Sequence, residues 1–208
     1  MSKIESVGYD QASSEMPQAV NCINHFRKMF LNSFSQDLNN KIWVAGGAVR
    51  DWLSEGHVIK DYDFFSTDRI AMAELVRALR NIHGFRHYLI TKNAIKGFVM
   101  VKGIKVDVDI VKKPFANAIE CVDAFDFTLC CFAVSFDRFT YNSSGIFDLI
   151  KKRLVVHSLP HPVDTLKRMI KYTKKGFAAC NGTILTIAKA IAEQDPSNDS
   201  IFEFYKFD

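Results

Sequence analysis

The side chains best suited to chemistry are two aspartates, Asp61 and Asp63, which follow a glycine pair, Gly46 and Gly47, by about a dozen residues. Successive side chains of a strand point to opposite faces, so both carboxylates face the same way, about 7 Å apart. Two such carboxylates can share hard cations. Glycines permit close backbone approach, and amides at the start of a helix favour an anion. The stretch therefore combines a candidate metal site with a candidate phosphate site.

The elements that must position these residues are short. An apolar strand over 42–45 leads into the glycines, and a short helix containing Arg50 and Asp51 follows them. A second strand leads into the acid pair and is completed by Phe64 and Phe65. Taken singly, the glycine pair is also typical of an ordinary turn, and the acid pair of an acidic strand end. The chemical interpretation depends on their combined spacing.

A third carboxylate is available on a later strand, Ile-Lys-Val-Asp-Val-Asp-Ile-Val at 104–111. Its valines and isoleucine alternate with Asp107 and Asp109, so both acids share one face and the apolar side chains share the other. A Lys-Gly turn at 102–103 separates this strand from the one before it. The pattern predicts that Asp107, or Asp109 in its place, joins the acid pair.

The order Gly-Gly-Ala-Val-Arg-Asp-Trp-Leu at 46–53 and Asp-Tyr-Asp at 61–63 resembles the head domain of tRNA CCA-adding enzymes and bacterial poly(A) polymerases. That family belongs to the DNA polymerase beta-like nucleotidyltransferase superfamily. The resemblance covers roughly residues 41–177. It implies an α+β head over 41–158, with a mixed or antiparallel sheet and flanking helices, preceded by a helical segment over 1–40 and followed by a short helical neck and tail over 159–208.

The resemblance also implies a function, the transfer of a nucleoside monophosphate from ATP or CTP to an acceptor hydroxyl. Asp61, Asp63 and Asp107 would hold two Mg²⁺ ions, with Asp109 as the first substitute for Asp107. Gly46 and Gly47 would pass close to the phosphates, with Arg50 as their charged partner. Arg50 has an alternative role, pairing with Asp51 or with a core carboxylate.

Two further motifs match the family only in part. Asp126-Phe127-Thr128 fits the segment that holds the sugar and phosphates of the nucleotide, but Ala124 and Phe125 stand where the family has two arginines. Asp126 is equally interpreted as a helix N-cap. At the start of the neck helix the family reads the base edge with an aspartate and an arginine. Here Asp164 keeps the acid and Lys167 replaces the arginine, whose planar fork a lysine does not reproduce.

Composition limits the class of protein and its partners. With 208 residues, 48% of them hydrophobic, and a formal net charge of +4, the sequence predicts a globular protein suited to a polyanionic partner. Its five cysteines form no Cys-x-x-Cys pair and are expected to be reduced, mostly buried side chains of a cytoplasmic protein. No apolar run is long enough to span a membrane.

The ends of the chain carry fewer signals. Residues 1–15 are polar and are expected to be frayed. Apolar residues at intervals of three and four predict one helix over 17–38. A basic helix over 163–175 fits nucleic acid phosphates or a solvated surface.

The acceptor is therefore expected to be an RNA 3′ end, with a protein or small-molecule hydroxyl as alternatives. The competing hypothesis is a non-catalytic module that keeps the fold and binds nucleotide or RNA.

Overall fold

An eight-stranded sheet forms the centre of the protein. The computed structural model describes residues 3–54, 59 and 61–194. The strands are β1 Ile4–Gly8, β2 Ile42–Ala45, β3 Asp61–Ser66, β4 Arg86–Ile90, β5 Ala94–Val101, β6 Ile104–Val111, β7 Phe132–Val134, β8 Arg138–Asn142, β9 Arg153–Leu154 and β10 Ala178–Ala179. The large sheet has the order β1-β8-β7-β2-β3-β6-β5-β4, and β9 and β10 form a small parallel pair. Within the large sheet β3 and β6 are parallel and the other neighbours are antiparallel.

Helices flank both faces of the sheet. They are α1 Tyr9–Glu15, α2 Pro17–Met29, α3 Gln36–Asn39, α4 Gly47–Leu53, α5 Arg69–His83, α6 Ala118–Asp123, α7 Gly145–Ile150, α8 Pro162–Thr173 and α9 Asn181–Ala192. Single turns of 3-10 helix occupy Leu31–Ser33 and Thr128–Cys130. Within the described residues, no helix has the length and apolar character needed to cross a membrane.

Local sequence explains the long helix and the hairpin beside it. The side chain of Asp68 accepts hydrogen bonds from the amides of Ile70 and Ala71, which begins α5, and Gly84 ends it in the left-handed conformation. The turn between β5 and β6 has positive φ at both Lys102 and Gly103, as a tight hairpin requires. The Lys-Gly turn predicted at 102–103 is confirmed.

Two hydrophobic clusters lie on opposite sides of the sheet. The larger contains Phe26 of α2, Phe64 of β3 and Leu75 of α5. The smaller contains Trp43 and Phe65 together with residues of α6. Helix α6 packs on β1, β8, β7 and β2. It therefore covers one half of its face of the sheet, and the acidic residues begin where that half ends.

The N-terminus corrects an expectation. Residues 1–15 were expected to be frayed, but β1 pairs with β8 from Ile4 to Gly8 and forms an edge of the large sheet. Val7 is buried, and Tyr141 donates a hydrogen bond to the carboxylate of Glu5. The polar composition of the segment is that of an edge strand, whose stability comes mainly from backbone pairing with a distant strand.

Two other boundaries differ from the sequence prediction. The single helix expected over 17–38 ends at Met29, and a 3-10 turn and the short α3 follow, because Ser35 caps α3 through the amide of Leu38. The strand that was predicted to lead into the acid pair and to be completed by Phe64 and Phe65 begins at the pair itself, since β3 starts at Asp61. The end of the predicted tail, residues 195–208, lies outside the described residues.

Candidate metal and nucleotide site

Parallel pairing of β3 with β6 brings the acidic residues into two rows. Asp61 lies opposite Asp107, and Asp63 lies opposite Asp109. Tyr62, Phe64, Val108 and Ile110 point to the other face and are buried in the larger cluster. Burial of these apolar partners therefore turns all four aspartates toward the open face.

Three of these carboxylates converge. Asp61, Asp63 and Asp109 each offer an oxygen atom, and these atoms lie within 4.8 Å of one another. Asp107, which the sequence favoured as the third member, is outside this group, and its Oδ1 lies 3.5 Å from the ammonium of Lys105. The geometry thus favours the alternative, Asp109, because the parallel register sets Asp109 beside Asp63.

Burial and mutual repulsion together determine the electrostatics of the group. Burial, and then the charges of Asp61 and Asp109, raise the pKa of Asp63 to about 7, although Lys96 and Arg50 oppose the shift. Lys96 forms an ion pair with Asp109. Neither Asp61 nor Asp63 forms an ion pair with any other described residue. These carboxylates range from exposed Asp61 to buried Asp109 and are only partly compensated. Such a set of oxygens fits a divalent cation, which takes oxygen ligands and relieves the repulsion.

The glycine pair and Arg50 are engaged within the protein. Gly46 has φ of 74°, which favours glycine, and its amide donates to the carbonyl of Phe132 over 2.9 Å. Arg50 is buried and donates to Asp51 through Nε over 2.8 Å and through Nη2 over 2.6 Å. Its Nη1 donates to the hydroxyl of Tyr172 over 2.8 Å. Arg50 therefore adopts the alternative arrangement, a pair with Asp51, and also connects α4 to α8. Gly47 begins α4 next to this guanidinium.

The residues that replace the family's arginines change the surroundings of Gly46. The ring of Phe125 lies 3.4 Å from the position that a Cβ on Gly46 would take, and it packs against Phe65 with ring centroids 5.9 Å apart. An aromatic ring thus occupies the space beside the glycine where the resemblance places phosphate.

Asp126 lies against the neck helix. Its Oδ1 accepts from the amide of Phe127, and its Oδ2 lies 2.9 Å from Nη1 of Arg168. Burial raises the pKa of Asp126, and Arg168 opposes that shift. Asp126 does not cap the 3-10 turn that follows, whose first position has no side-chain cap. Asp164 is half-buried and Lys167 exposed on the same helix.

Sequence reasoning missed three partners at this site. Lys96 is the counterion of Asp109, Arg168 is the counterion of Asp126, and Tyr172 holds Arg50. Only Arg168 had a signal, as one of several cations of the basic neck helix. The other two come from strand pairing and helix packing between distant segments.

Solved structures share this architecture. The CCA-adding enzyme of Thermotoga maritima, solved with tRNA, is 20% identical with a TM-score of 0.60, over 90% of this chain and 46% of that one. A CCA-adding enzyme solved with ATP is 19% identical with a TM-score of 0.61, over 93% of this chain and 47% of that one. A tRNA nucleotidyltransferase solved with a primer tRNA and an incoming ATP analog is 21% identical with a TM-score of 0.53, over 73% of this chain and 47% of that one. The chain spans slightly less than half of these relatives, and the likeness establishes the α+β nucleotidyltransferase head fold.

Sequence comparison assigns the family. No curated protein sequence matches this chain significantly. The sequence profile of the Gabija anti-defense 2 family matches residues 21–152. That range contains the glycine pair, both acidic strands and the segment around Asp126. The chain is therefore a member of the Gabija anti-defense 2 family, built on the fold of the CCA-adding enzyme head.

Proposed function

We propose that this protein is a metal-dependent nucleotidyltransferase that moves a nucleoside monophosphate from ATP or CTP to an acceptor hydroxyl at an RNA 3′ end. The observation that supports it is the convergence of Asp61, Asp63 and Asp109 on the open face of the sheet. The fold is the one on which CCA-adding enzymes have been solved with nucleotides and tRNA.

In this reaction the acceptor oxygen forms a bond to the α-phosphorus, and the bond from that phosphorus to the bridging oxygen breaks. Pyrophosphate leaves with the electron pair. Two Mg²⁺ ions, when bound, lower the pKa of the attacking hydroxyl and stabilise the leaving group. Asp61, Asp63 and Asp109 would hold these ions, and Asp63 would have to lose its proton to do so. Asp107, which lies opposite Asp61 on the neighbouring strand, would be the alternative metal ligand to Asp109.

Nucleotide contacts belong to the same proposal. Asp126 would lie near the sugar and phosphates, and Asp164 and Lys167, three residues apart on α8, would meet the base edge. Lysine makes a point contact without a fixed fork, so we expect ATP and CTP to be poorly distinguished. Gly46, Gly47 and Arg50 would then form the wall of the nucleotide site through their contacts within the protein.

The test is incubation of the protein with each labelled nucleoside triphosphate, Mg²⁺ and either total RNA or total protein. We expect label in the RNA pool, and no transfer by Asp63→Ala with an unchanged circular dichroism spectrum. Asp37→Ala, which removes an exposed carboxylate paired with Lys41, is the matched control and should stay active. Normal turnover by Asp63→Ala would overturn the proposal. Label in protein alone would move the acceptor to a protein hydroxyl.

A specific observation supports the competing hypothesis of a non-catalytic module. Phe125 packs at Gly46, and Arg50 is held by Asp51 and Tyr172. A module of this kind binds nucleotide, and both the wild type and Asp63→Ala show no turnover. Replacing Ala124 and Phe125 by arginines should then strengthen triphosphate binding.

The family assignment suggests the biological process in which the reaction acts. We propose that the transferase site is what counteracts the Gabija defence, in the cytoplasm. Wild type and Asp63→Ala, expressed equally in cells that carry a Gabija system, separate a catalytic effect from a binding effect. Equal suppression by both would show that binding is sufficient.

A further inference from the structure

Beyond the carboxylates, the open face of the sheet continues across β6, β5 and β4. The side chains that it presents are basic, aromatic and aliphatic. They are Arg86 and Leu89 of β4, Phe98 and Met100 of β5, and Lys105 of β6, and we refer to them as the outer surface. Leu89 is 47% exposed and Met100 50% exposed. The acids lie where this surface meets the half of the sheet that α6 covers.

Strand register aligns the outer surface with the acid pair. Asp61 is opposite Asp107, Asp107 is opposite Phe98, and Phe98 is opposite Arg86. Neighbouring strands are about 4.8 Å apart, so Phe98 lies about 10 Å from Asp61, and Arg86 about 15 Å. A straight row thus leads from the candidate metal site to the β4 edge.

Phe98 is arranged as a stacking platform. Its ring is half-buried, and the ammonium of Lys105 lies 4.9 Å from the ring centroid. Lys105 also lies 3.5 Å from Asp107, which holds it between the ring and the acids. Bases stack on aromatic side chains in single-stranded nucleic acid sites, and cations beside them meet the phosphates.

We propose that the outer surface binds the single-stranded 3′ end of the RNA acceptor. The base next to the terminal nucleotide stacks on Phe98, and Lys105 and Arg86 meet the backbone phosphates. This inference depends on the proposed function for its direction, because the terminal hydroxyl must reach the carboxylates. Because the surface carries the positive charges of Arg86 and Lys105, it is unsuited to binding metal cations. The same charges favour a polyanion over a neutral peptide as its ligand.

The test is binding of a fluorescein-labelled single-stranded RNA oligonucleotide, measured by fluorescence anisotropy with Mg²⁺ present. Phe98→Ala should weaken binding by about tenfold or more, and Phe98→Trp should keep it, since stacking tolerates any aromatic ring. Lys105→Glu should weaken binding and reduce its salt dependence. ATP affinity should be unchanged in all three variants.

The chain offers a matched control. Phe147, which is 52% exposed, likewise has cations beside its ring, those of Lys151 and Arg153, but it lies on α7. Phe147→Ala should bind the oligonucleotide like the wild type. Equal loss in Phe147→Ala and Phe98→Ala, no loss in Phe98→Ala, or no RNA binding by the wild type would each overturn the inference.

Failure of the inference and failure of the proposed function give different results. If Phe98→Ala alone loses RNA binding while the wild type transfers no nucleotide, the RNA surface stands and the transferase proposal fails. If transfer depends on Asp63 but RNA binding is unchanged in Phe98→Ala, the transferase proposal stands and the proposed RNA-binding role of the outer surface is wrong.

Discussion

At the scale of single residues, the site is defined by which carboxylates meet. Asp109 joins Asp61 and Asp63, and Asp107 stays beside Lys105. The same alternation along β6 presents both acids to one face, so only their neighbours on β3 distinguish them. Burial of Asp63, together with the charges of Asp61 and Asp109, then determines how readily the group binds protons and cations.

The choice between the two acids predicts a difference in metal binding. Excess Mg²⁺ should stabilise the wild type by about 2–3 kcal/mol at a hundredfold excess over its Kd. Asp107→Asn should keep most of this gain, and Asp109→Asn should lose most of it. Thermal melts with Mg²⁺ and with chelator measure both. The reverse order would return Asp107 to the site.

The shifted carboxyl predicts a pH dependence. Because its pKa rises to about 7 on folding, Asp63 binds its proton more tightly in the folded state. The resulting stability is present below the unfolded value and is lost as pH rises through about 7. In chelator at pH 8, Asp63→Asn should therefore raise the unfolding free energy by about 2 kcal/mol, or Tm by about 5 °C.

At pH 4 the gain should nearly vanish, because the folded wild type is then protonated at Asp63. Asp37→Asn, which removes an exposed carboxylate from an ion pair, should bring no such gain at either pH. A variant less stable than the wild type at pH 8 would show that the acid group is already compensated.

At the scale of elements, α4 and α8 are joined by buried polar contacts. Arg50 of α4 donates to Tyr172 of α8, whose hydroxyl also lies 3.2 Å from Sγ of Cys130. The ring of Tyr172 lies 4.9 Å from the guanidinium carbon of Arg50. The neck helix is thereby fixed to the helix that follows the glycine pair.

Removing this hydroxyl should loosen the junction. Tyr172→Phe leaves a buried guanidinium N–H without its acceptor, at a cost of about 1–3 kcal/mol. Denaturant unfolding of Tyr172→Phe against Tyr88→Phe, where the tyrosine is 60% exposed on β4, measures the effect. Equal stability of the two variants would mean that Arg50 finds another partner.

At the scale of the whole molecule, the first strand, β1, forms one edge of the large sheet. β1 pairs with β8 along its whole length, with Arg138 donating to the hydroxyl of Ser6 over 3.1 Å. α6 packs on both strands. The N-terminus is thus part of the same sheet as the candidate site.

Deletion of residues 1–8 should therefore destabilise the whole protein. It exposes β8 as a new edge and removes the burial of Val7, which together should cost about 2 kcal/mol or more and promote aggregation. Urea unfolding and light scattering measure this, and Val7→Ala should cost about 1 kcal/mol. A truncated protein as stable as the wild type would support the frayed terminus that the sequence predicted.

Composition predicted that the cysteines are reduced and mostly buried, and the structure buries four of the five. Cys22, Cys121, Cys130 and Cys131 are buried and Cys180 is exposed, and all five are unpaired. The alternation of β6 and the hairpin turn at 102–103 are likewise local signals, each specified by a few adjacent residues. These features were predictable because their cause lies within one turn or one strand.

The sequence by itself determined the acid pair, through spacing in one continuous stretch, and its resemblance to a known family predicted the head fold. Tertiary structure alone decided that Asp109 joins that pair, that Arg50 turns to Asp51 and Tyr172, and that residues 4–8 form a strand. Apart from the pair between the adjacent Arg50 and Asp51, each of these outcomes depends on a strand register or a helix contact between distant segments. Local periodicity specifies the face on which a side chain lies, but pairing across the sheet specifies its neighbour.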